Sequence, residues 1–272
     1  MILCALSPAT IAAAAAQALR EELETFPKPG LVSLVDTGSH PDMNAAMFLA
    51  SIEAVEPGFA QMAEAAAAGA QLRDLQQIGL AMESAMSVAT GGLNTHRGAI
   101  FCLGLLAAAA GRRHLSPKLS LGEIVVECWG ADIPQAQSLP PTSAGISMCQ
   151  RYHLGGVRQE AALGFPTVYR HGLPALRASA SHGRSAARVQ VFFTLLAHCE
   201  DTTLLKRGGL PGQEFAHQEA RRFLQAGGIV NPAWPHLSLA IHHEFIRRNL
   251  TAGGAADLLA ATLFCEEIEQ NL

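Results

Sequence analysis

"GGLNTHRGAIFCLGLLAAAAG", Gly91 to Gly111, is the stretch on which the reading of this chain turns. From Ala99 on it is a continuous apolar run built of alanine and leucine, with almost no β-branched residues and no polar face. That composition favours a helix over a strand, and a helix apolar all round belongs inside a core. In front of the run stand two glycines, an amide, a hydroxyl, an imidazole and a guanidinium: Gly91, Gly92, Asn94, Thr95, His96 and Arg97. A helix starting near Arg97–Gly98 leaves its first N–H groups unpaired and facing these residues, which makes an anion site that a phosphate can approach closely at glycine. Arg97 adds a forked donor and His96 a tunable one. The competing reading is structural, with Asn94 or Thr95 merely capping the helix. The pattern is neither a phosphate-binding P-loop nor a GxGxxG fingerprint.

Helical signals extend in both directions. Apolar periodicity predicts helices near 8–24, 43–55, 58–69, 71–89, 98–110, 119–129, 143–153, 185–199, 212–226, 235–249 and 254–270. Ser7 followed by Pro8 reads as an N-cap with proline at the first helical position. "GEIVVECWG", Gly122–Gly130, is the best strand candidate and stays ambiguous between strand and helix. Asp257 is expected in the first turn of the last helix. No repeat or long linker divides the 272 residues, so the expectation is an all-α, single large multi-helix domain with its loops converging on one pocket. The proline-containing stretch 133–143 is the candidate sub-domain joint.

Composition narrows the function classes. A net charge of −4 and no basic block longer than "GRRH" argue against a nucleic-acid surface. Six scattered cysteines without a CxxC pair read as buried reduced thiols rather than a zinc site, as in a cytosolic protein. The apolar N-terminus lacks the positive start of a signal peptide, and no stretch reaches membrane-spanning length uninterrupted. The expected location is cytoplasmic. In "HLSLAIHHEF", His236–Phe245, the consecutive His242, His243 and Glu244 point in different directions on a helix and lack the HExxH order, so no metal role is assigned.

Four further segments carry polar clusters. "FPKPGLVSLVDTGSHPDMN", Phe26–Asn44, stiffens the backbone around Lys28 with prolines and Gly30, then presents Asp36, Ser39, His40 and Asp42. It is either a loop whose Asp42 caps the next helix or a rigid loop offering lysine to phosphate and carboxylates to a metal or hydroxyl. "GGVRQEAALGFP", Gly155–Pro166, holds Arg158 and Glu160, which a surface ion pair would also explain. "HCEDTTLLKRGG", His198–Gly209, sets Glu200 and Asp201 before Lys206, Arg207 and Gly208, a combination that suits magnesium polyphosphate or a helix end with a basic turn. "NLTAGGAADLLA", Asn249–Ala260, is another glycine-to-helix start.

In this order the blocks "PKPGLVSLVDTGSHPDM", "TGGLNTHRGAIF", "EDTTLLKRGG" and "GGAADLLAATLF" resemble the triphosphoribosyl-dephospho-CoA synthase family, from near residue 27 to near 264. "YHLGGVRQEAALGFPTV" and the overall spacing are most similar to the branch serving malonate decarboxylase rather than citrate lyase. Thr203 stands where the family has asparagine, and "LTAGG" where it more often has "LSPGG". The resemblance implies transfer of the triphosphoribosyl group of ATP to the ribose 2′-hydroxyl of 3′-dephospho-CoA with release of adenine. The product is the prosthetic-group precursor of an acyl carrier protein.

That chemistry assigns roles. Cleavage at the ribose C1′ builds an oxocarbenium-like charge that carboxylates stabilise, while the uncleaved triphosphate serves as a handle. Lys28, Arg97 and Arg207 are assigned to phosphates with the backbone at Gly91, Gly98 and Gly208. Gly30, Ser39, Gly92, Asn94, Thr95, Arg158 and Glu160 complete the substrate contacts. Asp42 and Asp201 are the magnesium-ligand candidates. Asp36 or Asp257 is the base or cation stabiliser, and His40 and His96 are candidates for proton delivery. ATP and dephospho-CoA are the expected partners, and alanine-rich helical faces would suit a homodimer. Two rivals remain: a magnesium-dependent N-glycosidic hydrolase using water as acceptor, and a non-catalytic helical scaffold.

Overall fold

The computed structural model describes residues 6–136 and 144–270. Among them there are twelve α-helices and no strand. The first, α1 (Pro8–Glu24), begins as its sequence dictates: the Ser7 hydroxyl accepts the Thr10 N–H at 3.1 Å and Pro8 occupies the first turn. The two helices expected on either side of Pro57 are one, α2 (Ala45–Ala67). Its cap is Asn44, whose side chain accepts the Met47 N–H at 3.1 Å, and not Asp42, which lies exposed before it. Burial of Val55, Gly58, Phe59 and Met62 on both sides of the proline holds the helix through the missing backbone bond.

The apolar run forms α4 (Arg97–Arg112), in which every residue from Cys102 to Ala110 is buried. It packs against α2 on one side and α12 (Gly253–Gln270) on another, and α1 lies against all three. The alanines of α1 and α4 that made a homodimer attractive are used here, inside one chain: Ala15, Ala16 and Ala107 to Ala109 are inaccessible. α3 (Leu72–Ala89) flanks α2 and α4.

"GEIVVECWG" is helical, forming α5 (Leu121–Trp129). Ser120 and Glu123 make a reciprocal capping box, and Leu121, Ile124, Val125 and Trp129 fall on one buried face, so cap chemistry and period override the three β-branched residues Ile124–Val126. The candidate joint at 133–143 begins with a 3₁₀ turn at Ile133–Gln135, and 137–143 lie outside the described residues. Then come α6 (Ala144–Tyr152), the short α7 (Gly156–Ala162), a π turn at Val168–Gly172, α8 (Leu173–Ala178) and α9 (Arg184–Leu196).

Helix α10 (Thr202–Gln225) starts about ten residues earlier than expected and is broken inside, at Gly209. There φ is 61° and ψ −164°, a conformation open to glycine, and Pro211 restarts the helix. α11 (Trp234–Arg247) and α12 close the chain. Because α12 starts at Gly253, Asp257 sits just beyond its first turn. No described helix is long and apolar enough to cross a membrane.

Candidate active site

Four helix starts, those of α4, α7, α10 and α12, open on one cavity of about 810 Å³. Of the residues singled out in sequence, Asn94, Arg97, Gly98, Arg158, Glu160 and Asp257 line it. Asn94 accepts the Arg97 N–H at 3.0 Å and so caps α4 from two residues before His96. The Arg97 side chain reaches back to Glu83 of α3 at 2.8 Å. Arg158 donates to the Ala136 carbonyl at 2.7 Å, and Glu160 accepts from the Thr167 N–H at 2.7 Å and hydroxyl at 3.0 Å. The expected Arg158–Glu160 ion pair does not form. Burial pushes the Glu160 carboxyl up, against those hydrogen bonds.

Asp257 is the centre of this wall. Its carboxylate accepts the N–H of Ala99 in the first turn of α4. It also lies so close to Gly98 that a Cβ there would stand 1.9 Å from Oδ2, so only glycine lets the helix start reach it. Burial first, then the negative charges of Asp201 and Glu22, hold its carboxyl well above the usual carboxylate range.

Two assignments move by one residue. The cavity wall carries Glu200 and Lys206, not their neighbours Asp201 and Arg207. Glu200 and Lys206 are exposed. Asp201 is fully buried and engaged: Oδ1 takes the N–H groups of Thr203 at 2.8 Å and Leu204 at 3.2 Å, and Oδ2 takes that of Ala255 at 3.1 Å. One carboxylate thus caps both α10 and α12, and it does not line the cavity. Thr203, where the resemblance led asparagine to be expected, joins the same junction: its hydroxyl accepts the Gly253 N–H at 2.8 Å and lies 3.0 Å from the Thr251 carbonyl.

The Phe26–Asn44 loop gathers a second cluster behind the strap Asn249–Gly254. Lys28 is buried and ion-paired with Glu22 of α1. Burial lowers its pKa and the Glu22 charge opposes that. Asp36 Oδ2 lies 3.0 Å from His242 Nε2, and the other nitrogen of that ring faces the Lys28 carbonyl at 2.8 Å and the Gly30 N–H at 3.3 Å. Ser39 donates to the Leu250 carbonyl at 2.7 Å. Arg207 donates to the Ser39 carbonyl at 2.8 Å and contacts His40 Nδ1 at 3.1 Å, while His40 Nε2 meets the Thr251 hydroxyl at 3.0 Å. Burial, then the Arg207 charge, lowers His40 to about 4, against the pull of Asp42. Gly208 packs on the Leu250 side chain.

The remaining assigned residues lie outside both groups. Gly91 and Gly92 terminate α3 with positive φ and do not line the cavity. Thr95 and His96 turn inward to Ser51, at 2.8 and 2.7 Å from its hydroxyl. His96 is buried with Nε2 unpartnered, and burial with the nearby Lys28 charge lowers it to about 3.

Among the described residues no cluster of three or more His, Cys, Asp or Glu could hold a metal ion. With Asp201 engaged and Asp42 exposed on the far side of the strap, the residues assigned to magnesium do not form a protein-held site.

Sequence reasoning missed Glu22 and His242. Glu22 looked like one more acid on an amphipathic helix, and "HHE" was weighed only as a metal motif; their partners lie 6 and 206 residues away in sequence. Lys206 and Glu200 were legible as members of charged pairs, but which member faces inward depends on the α10 start.

The family model described as ATP:dephospho-CoA triphosphoribosyl transferase matches residues 8–272. A "2-(5''-triphosphoribosyl)-3'-dephosphocoenzyme-A synthase" of Klebsiella pneumoniae is 39% identical, over 95% of this chain and 91% of its own length. A "Probable 2-(5''-triphosphoribosyl)-3'-dephosphocoenzyme-A synthase" of Stutzerimonas stutzeri is 39% identical, over 93% of this chain and 90% of its own. No solved structure matches. With the family model covering nearly every residue and close relatives spanning both chains, this protein belongs to the ATP:dephospho-CoA triphosphoribosyl transferase family.

Proposed function

We propose that the cavity transfers the 5-triphosphoribosyl group of ATP to the ribose 2′-hydroxyl of 3′-dephospho-CoA and releases adenine. The product would serve as prosthetic-group precursor for the acyl carrier protein of a malonate decarboxylase. Family membership supports the reaction, and the sequence spacing noted above supports the branch. The observation that carries the site is Asp257: a half-buried carboxyl at a helix start, its pKa raised, on the wall of a cavity that also bears Arg97, Arg158 and Lys206.

The step breaks the bond from C1′ to the adenine nitrogen and forms one from C1′ to the acceptor oxygen. The 2′-hydroxyl gives up one proton and adenine takes up one, so protons balance. Asp257, whose pKa is raised, is the acid placed to supply the proton that departing adenine needs. Glu200, exposed on the cavity wall, takes the hydroxyl proton and faces the developing sugar cation. Arg97, Arg158 and Lys206 hold the triphosphate, which is never cleaved. Magnesium travels on that triphosphate as part of the substrate, with no protein ligand assigned. The loop holding Lys28, Asp36, His40 and Arg207 supports the Asn249–Gly254 strap from behind and fixes the starts of α10 and α12.

The test is product analysis. The protein is incubated with magnesium ATP, with and without dephospho-CoA, and adenine and the conjugate mass are followed. Adenine release that requires dephospho-CoA, with a conjugate of the expected mass, is the expected result. Release without the acceptor would mean hydrolysis, and no release at all would leave a scaffold.

A further inference from the structure

We infer that the apolar lobe of the cavity reads the pantetheine arm of the acceptor, and that this lobe is how the enzyme tells dephospho-CoA from ATP. The inference rests on the transfer reading above. The cavity lining changes character along its length. At one end stand the Arg97–Glu83 pair, Asp257 and Lys206; toward the other the wall is Met62, Leu72, Leu75, Leu80, Ile100 and Leu105, contributed by α2, α3 and α4. The gradient follows α3 from Glu83 back to Leu72, a run of roughly 16 Å at the helical rise. An 810 Å³ cavity lies in the upper part of the range of about 300–1,000 Å³ typical of small-molecule sites.

Chemistry selects the occupant. Donor and acceptor share an adenosine 5′-diphosphate, so contacts to the base, the ribose or the first two phosphates cannot distinguish them. Only the pantetheine arm, an uncharged chain with a gem-dimethyl centre, two amides and a thiol, marks the acceptor. An aliphatic wall on α2, α3 and α4, with the Gln76 amide among its leucines, suits that chain. It does not suit the departing adenine, which needs a proton donor and a flat face; the aromatic rings on the cavity wall are Phe101 and His198, and Asp257 stands at the polar end.

Gly79 tests the inference. It lies mid-helix in α3 on the cavity wall, and a Cβ placed there has only the Met62 Cε within 4 Å, at 3.6 Å. Gly79→Leu therefore fills the lobe without unpairing a polar group, and leucine favours the helix. The expected result is a KM for dephospho-CoA raised tenfold or more, with the KM for ATP within twofold of wild type. On the wild-type enzyme, free pantetheine should inhibit competitively against dephospho-CoA and not against ATP, a measurement that decides the matter even if the variant does not fold. A rise in the ATP KM as large as that for dephospho-CoA, an unchanged dephospho-CoA KM, or pantetheine competing with ATP would overturn the inference. If wild type shows no acceptor-dependent adenine release, the transfer reading itself fails; if it transfers but any of those three results appears, only the arm assignment does.

Discussion

Asp257, half-buried on the cavity wall, and His96, buried, both stand beside the start of α4, yet their titrations run in opposite directions and separate catalysis from stability. Asp257→Asn keeps an acceptor for the Ala99 N–H but has no proton to give. Loss of a positioned general acid costs on the order of 10²–10⁴ in rate. The variant should fold with a melting temperature near wild type while dephospho-CoA-dependent adenine release falls at least a hundredfold; a rate within tenfold of wild type would remove the acid role. His96 is lowered to about 3, so the folded chain stays unprotonated there while the unfolded chain takes up a proton below its ordinary value of 6.5. The stability this residue contributes is therefore complete above pH 6.5 and is lost as pH falls toward 3. From pH 7 to 5 the loss is about 2 kcal/mol. The raised carboxyls of Asp257, Asp201 and Glu160 titrate with the opposite sign, so the wild-type profile alone is not the test. His96→Gln keeps a partner for Ser51 and removes the proton site. Urea titrations should show the wild-type advantage over the variant shrinking by that amount between pH 7 and 5, and a constant difference would refute the burial argument.

At the level of helices, Asp201 is a joint before it is anything chemical. Its carboxylate serves the first turns of α10 and α12 together, and the starts of both helices line the cavity. A lost cap costs about 1 kcal/mol and a stranded buried N–H about 1–3. Asp201→Ala should thus lose about 3 kcal/mol or more in denaturant unfolding, with Asp201→Asn intermediate because it keeps one acceptor oxygen; a loss below 1 kcal/mol for alanine would show the joint to be dispensable. The same residue marks where sequence reading stops. Ser7–Pro8, the α4 run and the final helix were legible because cap and period are local signals. The continuity of α2 through Pro57 and the early start of α10 were not, since burial on both sides of a proline, and a carboxylate shared by two helices, are tertiary facts. The site was legible as a set of charged segments. Which of two adjacent side chains faces the substrate was not: that the cavity takes Glu200 and Lys206 while Asp201 and Arg207 turn away follows from the phase of a helix whose start the sequence did not reveal.

Across the whole molecule the polar groups fall into two territories divided by the Asn249–Gly254 strap, and the two make different forecasts for where nucleotide binding is felt. If the cavity holds the triphosphate, ligand contacts link helix starts that are distant in sequence, and their opening is suppressed together, because a ligand that binds only the closed form stabilises it in proportion to its occupancy. Hydrogen exchange with magnesium ATP should then slow in segments 94–101, 155–160, 200–206 and 253–258 at once. The amides of the Lys28–Asp42 loop, tied to His242, Leu250 and Arg207 without any ligand, should keep their rates. The reverse pattern, with protection in that loop and near Arg207 and none at the cavity, would place the nucleotide behind the strap. Lys28 and Arg207 would then regain the phosphate role that their internal bonds now argue against, His40 its candidacy for proton delivery, and Asp257 would lose its place beside the departing base.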